Sequence, residues 1–480
     1  MLLQLPVELL VKISELLSHG SQKNLRLVCK SLNDATIELV FATFVIKVTD
    51  DALLSHCAML KELATRTTDI WRYVKVLRLT QTTTLESVLA NANVPQKSAK
   101  GVAPTLHKAI SSFENVTAVD WNSLKSVDDA VIVALISSIC RLPSLHKFTL
   151  YMATRIRGPL PTFHLKNLTS LDLSFSGPSW DDFICNSLPS ILDNSPDLSF
   201  LSLGDETIGC AGTVNTLFQS LRRPLRLKSL ALHMIFVPPP SILAPHCQFL
   251  TSFGVAPAGM LPPNFWSGLQ RSNIHLRSLT IDDVNAQLLD YLMSYTGVEE
   301  IRLQVPTDDA EYDELGIKFY SEVIPHHSAT FRILSIRPKY EGIWSFQESM
   351  MSPILQCRNL VSLWLSLRFS DISDPIESGV VAYLLCSIKS LPKIYLLSLE
   401  CPLSFPPRLP PSVTQNRWKA KHMIAQAIEA VNTIPNHDPY LALQISIEPF
   451  GCRYRAHWDA ESGFSFFYAE TRDTDVVYLG

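Results

Sequence analysis

Few residues in this sequence stand at spacings that chemistry requires. There is no HExxH, no G-x-S-x-G elbow, no GxGxxG and no phosphate-binding loop. His326 and His327 are adjacent, whereas two ligands on one helix face stand about a turn apart, so they read as a solvated loop and not a metal site. Asp308, Asp309, Glu311, Asp313 and Glu314 follow Pro306 without the regular spacing and turn glycine of a calcium loop, and read as a solvated helix start or insertion. Arg417, Lys419 and Lys421 make a basic helix face too small to argue for nucleic acid. The 10 cysteines are scattered singly from Cys29 to Cys452, with no CxxC pair, and read as buried small hydrophobes in a reducing compartment. No catalytic residue, metal or cofactor is expected, and the chain reads as a binder, not an enzyme.

Composition narrows the class further. The 480 residues suit two or three domains or one long repeat array. With 47% hydrophobic and 18% charged residues the chain reads as globular. A net charge of −4 favours neither nucleic acid nor an anionic membrane as partner. Glu8, Lys12 and Glu15 interrupt the apolar start, so a signal peptide is not expected, and no apolar run reaches membrane-spanning length. Cytoplasm or nucleus is the expected location, and the sequons at Asn115 and Asn167 carry little weight there.

Two short amphipathic helices are legible between residues 5 and 40. Pro6 suits a first helical turn, and Leu9, Leu10, Ile13, Leu16 and Leu17 follow at helical spacing, with Glu8 four residues before Lys12. His19, Gly20 and Ser21 break the pattern, Ser21 offers an N-cap, and Leu25, Val28, Cys29 and Leu32 form the next stripe. So small a unit cannot bury all these side chains in itself and needs a neighbour. Periodicity alone also allows a helical hairpin that caps the following domain.

Residue identities add to this. Leu5-Pro6-Val7-Glu8-Leu9-Leu10, Ile13, Leu16-Leu17 and Leu25-Arg26-Leu27-Val28-Cys29-Lys30 together resemble the F-box family. The resemblance covers residues 3 to 40 and implies a three-helix module that docks a Skp-family adaptor and, through it, a cullin. By position, Leu5, Pro6, Leu9, Leu10, Ile13, Leu27, Val28 and Leu32 then contribute to that interface or to the module's own core, which sequence does not separate. Ser21-Gln22 stands where the family usually has Asp followed by Leu, so one apolar contact is missing.

The rest of the chain repeats itself. The pattern apolar-x-x-apolar-x-apolar occurs about a dozen times, with good copies starting at Val74, Leu145, Leu168, Leu198, Leu227, Leu276, Val298, Phe331, Leu360 and Ile394. Weaker copies start at Val116, Leu250 and Tyr440. Each block ends in strand-like alternation, and helical stretches lie between, such as Asp128 to Cys140, Val214 to Leu221, Ala286 to Tyr295 and Val380 to Ile388. One strand and one helix, repeated, bury their leucines only by stacking on neighbours. Residues 74 to 400 resemble the leucine-rich-repeat family, in the irregular form found behind fungal-type F-boxes. The Asn or Cys expected three residues after the last Leu is absent, with Ser176, Glu206, Ile235 and Pro306 in its place.

The expected fold is therefore α/β: an F-box helical module over residues 1–45, a helical linker over 46–73, a leucine-rich-repeat solenoid over 74–400, and a proline-rich connection with a C-terminal cap over 401–480. In the linker, Leu53, Leu54, Met59, Leu60 and Leu63 suggest one helix, and rigid docking of the F-box on the array is expected. After the Pro402–Pro411 connection, a helix from about Gln415 to Ala430, a strand from Tyr440 to Ile447 and an aromatic tail with Phe464, Phe466, Phe467 and Tyr468 read as that cap. Residues flanking the inward leucines form the partner face, mostly small and polar, with Tyr151, Phe200, Arg302 and Trp364 as anchors. The function read from the sequence is a substrate adaptor of a ubiquitin ligase with an unknown protein partner. The alternative is a leucine-rich-repeat scaffold outside the ubiquitin system.

Overall fold

The computed structural model describes residues 5–80, 99–123, 129–152, 164–175, 179–205, 213–257, 260–305, 310–372, 379–402, 412–430, 443–447, 452–459 and 463–469. It is mixed α/β, and the chain divides into two compact units, Met1–Phe249 and Leu250–Gly480. That boundary falls within the stretch that the repeats alone join into one array. Ser176, Glu206, Pro306, Asp308 and Asp309 lie outside the described residues.

The first unit opens with three helices, α1 (Val7–Glu15), α2 (His19–Leu25) and α3 (Lys30–Phe41). The break between α1 and α2 comes earlier than sequence suggests. Ser18 is the N-cap, its hydroxyl accepting from the Ser21 amide at 3.2 Å, and His19, Gly20 and Ser21 are already helical. The stripe Leu25, Val28, Cys29, Leu32 consequently does not lie on one helix. It runs from the end of α2 through a turn into α3, with Cys29 as the N-cap of α3.

Helix α3 leads through Ala42 alone into a strand that the block pattern misses, β1 (Thr43–Lys47). The linker reading of one helix is also corrected: His56 divides it into α4 (Asp50–Ser55) and α5 (Cys57–Ala64), with the Thr49 hydroxyl capping α4. Six further strands follow in the first unit: β2 (Val76–Thr80), β3 (Ala118–Ser123), β4 (Lys147–Met152), β5 (Ser170–Phe175), β6 (Phe200–Gly204) and β7 (Ser229–His233). All pair in parallel in sequence order. The register aligns the blocks with one another. Leu77, Val119, Phe148, Leu171, Leu201 and Leu230 form one inward ladder, and Leu79, Trp121, Leu150, Leu173, Leu203 and Leu232 the next, all buried. Each such side chain contributes about 1.5–3 kcal/mol by leaving water. The intervening helices Asp129–Ile139 and Thr213–Ser220 sit within a residue of the stretches read from sequence.

The second unit repeats the scheme. Its parallel strands are β8 (Ser252–Ala256), β9 (Ser278–Ile281), β10 (Glu300–Val305), β11 (Ile333–Pro338), β12 (Ser362–Ser366), β13 (Leu396–Glu400) and β14 (Gln444–Ile447). An antiparallel hairpin of β15 (Cys452–Asp459) and β16 (Gly463–Ala469) then continues the sheet past β14. The inward pair of β14 is Ile445 and Ile447, in register with Leu397 and Leu399, so its block starts two residues later than Tyr440. Helices Ala286–Met293, Val380–Ile388 and Ser412–Ala430 lie where periodicity puts them.

Turn-to-turn ties replace the absent Asn ladder. Just before each strand a backbone carbonyl bridges to the next turn: Lys75 to Thr117, Thr117 to His146, His146 to Thr169, Thr169 to Ser199 and Ser199 to Lys228. The second unit has the same chain from Thr251 through Arg277, Glu299, Arg332 and Val361 to Tyr395. Side chains of mixed type add to it. Ser195 Oγ accepts from the buried Leu168 amide at 3.1 Å, and Tyr291 Oη accepts from the Leu276 amide at 3.2 Å while donating to the Ile274 carbonyl at 2.7 Å. Ile235, at one of the expected ladder positions, is simply buried.

Candidate functional site

The N-terminal helices divide their apolar residues into two sets. Leu10, Leu32 and Ala35 form a small core, with Leu5, Val11, Leu25 and Cys29 packed against it. Pro6, Leu9, Ile13, Leu27 and Val28 face outward, and Val7, Leu16 and Leu17 join them. Leu27 is 78% and Val28 68% exposed, against 4% for Leu10, so the distinction that spacing leaves open is set by packing. Val7 belongs to the F-box-like string but not to the residues assigned to the interface from sequence; its position directly after Pro6 on the helix is the available signal.

Local chemistry holds this face in place. Gln22, where an apolar residue is usual, donates its amide to the carbonyls of Ser14 at 2.9 Å and Leu17 at 3.3 Å, and so closes the open end of α1. Ser14 Oγ donates back to the Leu10 carbonyl at 2.7 Å. The Arg26 guanidinium lies 4.8 Å from the centre of the Phe41 ring and ties α2 to α3. So many exposed large apolar side chains on so small a unit mark an interaction site.

Residues 2–41 match the F-box domain. No curated protein matches the chain. F-box domains bind Skp-family adaptors, and F-box proteins are generally adaptors and not enzymes; the match supports a place for this chain in ubiquitin-ligase assembly.

The strand faces carry the other candidates. Tyr151 on β4 and Phe200 on β6 are half-buried on the first unit's sheet. Arg302 on β10 and Trp364 on β12 lie in one row of the second unit, with Ser335 in register between them. Arg302 pairs with Glu300 on its own strand, and the Arg337 guanidinium stacks 3.2 Å from the centre of the Trp364 ring. Arg337 stands one residue past the last inward position of its block, as Tyr151 does in its own, and the sequence reading does not single it out. Ser366, expected on the partner face, is buried, with Oγ bonded to Glu400 Oε1 at 2.7 Å.

His326, His327 and Asp313 each make a structural contact. His326 and His327 are not in a solvated loop. They end the short helix Ile324–His327, and their Nε2 atoms bond the carbonyls of Tyr295 and Leu292 at 2.8 and 2.9 Å, which ties adjacent turns together. Burial, with the neighbouring His326 charge, lowers the His327 pKa from 6.5 to about 4. Asp313 Oδ1 accepts from the Ile343 amide at 3.3 Å, also across turns. The expectation of buried cysteines holds only for Cys247 and Cys357 among those described, whose thiols burial pushes up to about 12. Cys185 and Cys386 are exposed because they fall on the outer sides of their helices. Among the described residues no three His, Cys, Asp or Glu side chains are grouped to hold a metal, and no helix is long and apolar enough to cross a membrane.

Proposed function

We propose that this chain is a substrate-recognition subunit of an SCF-type ubiquitin ligase. Its F-box docks a Skp-family adaptor, and through it a cullin. Its strand–helix units, a divergent leucine-rich-repeat solenoid in this reading, hold a protein substrate. The observation that carries the proposal is the exposed apolar set Leu9, Ile13, Leu27 and Val28 on a segment that matches the F-box domain. Tyr151, Phe200, Arg302 and Trp364 are proposed as partner contacts on the strand faces. No transfer chemistry is assigned to the chain, and it works in the cytoplasm or nucleus.

The test is binding of a purified Skp-family adaptor to the full chain, beside the double variant Leu9→Asp/Ile13→Asp. Tight binding that disappears in the folded double variant supports the docking face. A folded wild type that does not bind returns residues 5–40 to the role of an end cap, and leaves a repeat scaffold outside the ubiquitin system.

A further inference from the structure

On the face of β3–β6, one carboxylate stands without a cation in contact among the described residues. Asp172 lies in the middle row of β5, in register with Thr149 of β4 and Ser202 of β6. The side chains around it are short: Ser170 and Ser174 on its own strand, Thr149, Ser202 and Gly204 beside it. A Cβ at Gly204 would stand 2.8 Å from Ser174 Oγ and 3.1 Å from its Cβ, so a larger residue at that corner of the floor would crowd Ser174. Asp172 sits half-buried in this floor and accepts a hydrogen bond from the Ser202 side chain.

The neighbouring charges leave it short of a partner. Arg78 is engaged with Asp120 at 3.3 Å. His233 on β7 attracts the Asp172 carboxylate and Asp120 repels it. Lys147 is exposed, and among the described residues it forms no ion pair with Asp172. Burial, chiefly, raises the carboxyl above its usual range, as for a charge stripped of water without full compensation. Tyr151 and Phe200 lie diagonally on either side. Strand spacing and rise put each of their Cα atoms about 8 Å from that of Asp172. A long cationic side chain spans that distance, with its stem on a ring and its head on the carboxylate.

We propose that this face takes a lysine or arginine side chain from an extended segment of the substrate protein, the cation on Asp172 and the stem against Tyr151 or Phe200. This rests on the reading of the strand face as a partner surface and names the chemistry of what it holds.

The test is panning of a phage-displayed library of random peptides on the full chain and, in parallel, on Asp172→Asn. That variant keeps the size and the Ser202 contact and removes the charge; melting curves establish that it and the alanine variants are folded. The expected result is enrichment of Lys or Arg at one peptide position on the wild type and not on Asp172→Asn. A synthesised peptide from that set should bind Asp172→Asn about 10-fold or more weakly. Norleucine in place of its basic residue should cost as much on the wild type and nothing further on the variant. Failure to enrich any peptide, enrichment of acidic peptides, or binding indifferent to Asp172→Asn overturns the proposal. Peptides that lack a basic residue yet are lost in Tyr151→Ala or Phe200→Ala refute the cation site and retain the face. Peptides indifferent to all three substitutions refute both.

Discussion

Acid should loosen the second unit through one imidazole, that of His327. Its side chain is 1% exposed, and Nε2 carries the hydrogen, donating to the Leu292 carbonyl at 2.9 Å. Nδ1 is buried with no hydrogen-bond partner among the described residues, so a second proton would enter a site that offers it no acceptor. Tyr295 and Phe331 pack on the ring, and the folded pKa falls from 6.5 to about 4. The folded pKa lies below the unfolded one, so between those values the unfolded chain binds a proton that the native state refuses. The stability is therefore full above about pH 6.5, is lost as pH falls toward 4, and changes no further below. At 1.36 kcal/mol per unit the whole effect is roughly 3 kcal/mol, of which roughly 2 kcal/mol is gone at pH 5. Hydrogen exchange of the β10 and β11 amides at pH 7 and pH 5, corrected for the intrinsic pH dependence of exchange, reads this locally. His327→Gln supplies the comparison, because its amide can donate to the Leu292 carbonyl and does not titrate. The variant should be less stable at pH 7 by about 1 kcal/mol from altered packing. Its further loss on going to pH 5 should be smaller than that of the wild type by about 2 kcal/mol. Equal losses in both proteins would refute the reasoning.

Three further outcomes are expected. Leu10→Ala should cost about 2–5 kcal/mol in denaturant titration of the full chain, whereas Leu27→Asp should shift it by no more than about 0.5 kcal/mol yet abolish adaptor binding; the reverse ranking would mean that core and docking face are misassigned. Tyr291→Phe should lose about 2 kcal/mol or more, since the Leu276 amide and Ile274 carbonyl are left buried without their partner, and an unchanged melting temperature would contradict the tie. In the native protein iodoacetamide should modify Cys185 and Cys386 and spare Cys247 and Cys357 until denaturant is added; mass mapping that finds either buried thiol labelled at the rate of Cys386 counts against the packing.

Most of the strands were legible because parallel pairing demands the same two inward positions in every turn. A pattern as cheap as Leu-x-x-Leu-x-Leu becomes specific when it recurs, and the register aligns the middle positions from Leu77 to Leu230 in one unit and from Phe253 to Leu397 in the other, with only the last block displaced by two residues. What sequence missed has identifiable causes. In β1 only Phe44 and Ile46 turn inward, with exposed Val45 between, and no block precedes it to set the phase. His327 looked like a surface residue because its partner, Leu292, is 35 positions away and is reached through a main-chain carbonyl. Helix periodicity pointed to Leu9, Leu10, Ile13 and Leu32 together but did not say which were inside, because two faces of α1 are apolar. The small core takes Leu10 and Leu32, and the others are left out.

In the proposed role the chain must hold its two bound proteins at a defined separation, and the connection after the F-box bears on that. A hinge needs residues whose backbone groups are free to change partners. Ala42 alone separates α3 from β1, and its carbonyl accepts from the amides of both Lys75 and Val76 at 2.8 Å. Lys75 Nζ stands 3.6 Å from Glu38 on α3, and β1 itself is paired with β2 along its whole length. The exposed ion pair adds little by itself, but rotation of the F-box about Ala42 would break both main-chain hydrogen bonds, each worth about 1 kcal/mol, and start to peel β1 from β2. The first strand thus acts as the joint between the docking module and the sheet of the first unit. Insertion of a few glycines at Ala42 should therefore damage ubiquitin transfer to a bound substrate more than it damages adaptor binding itself.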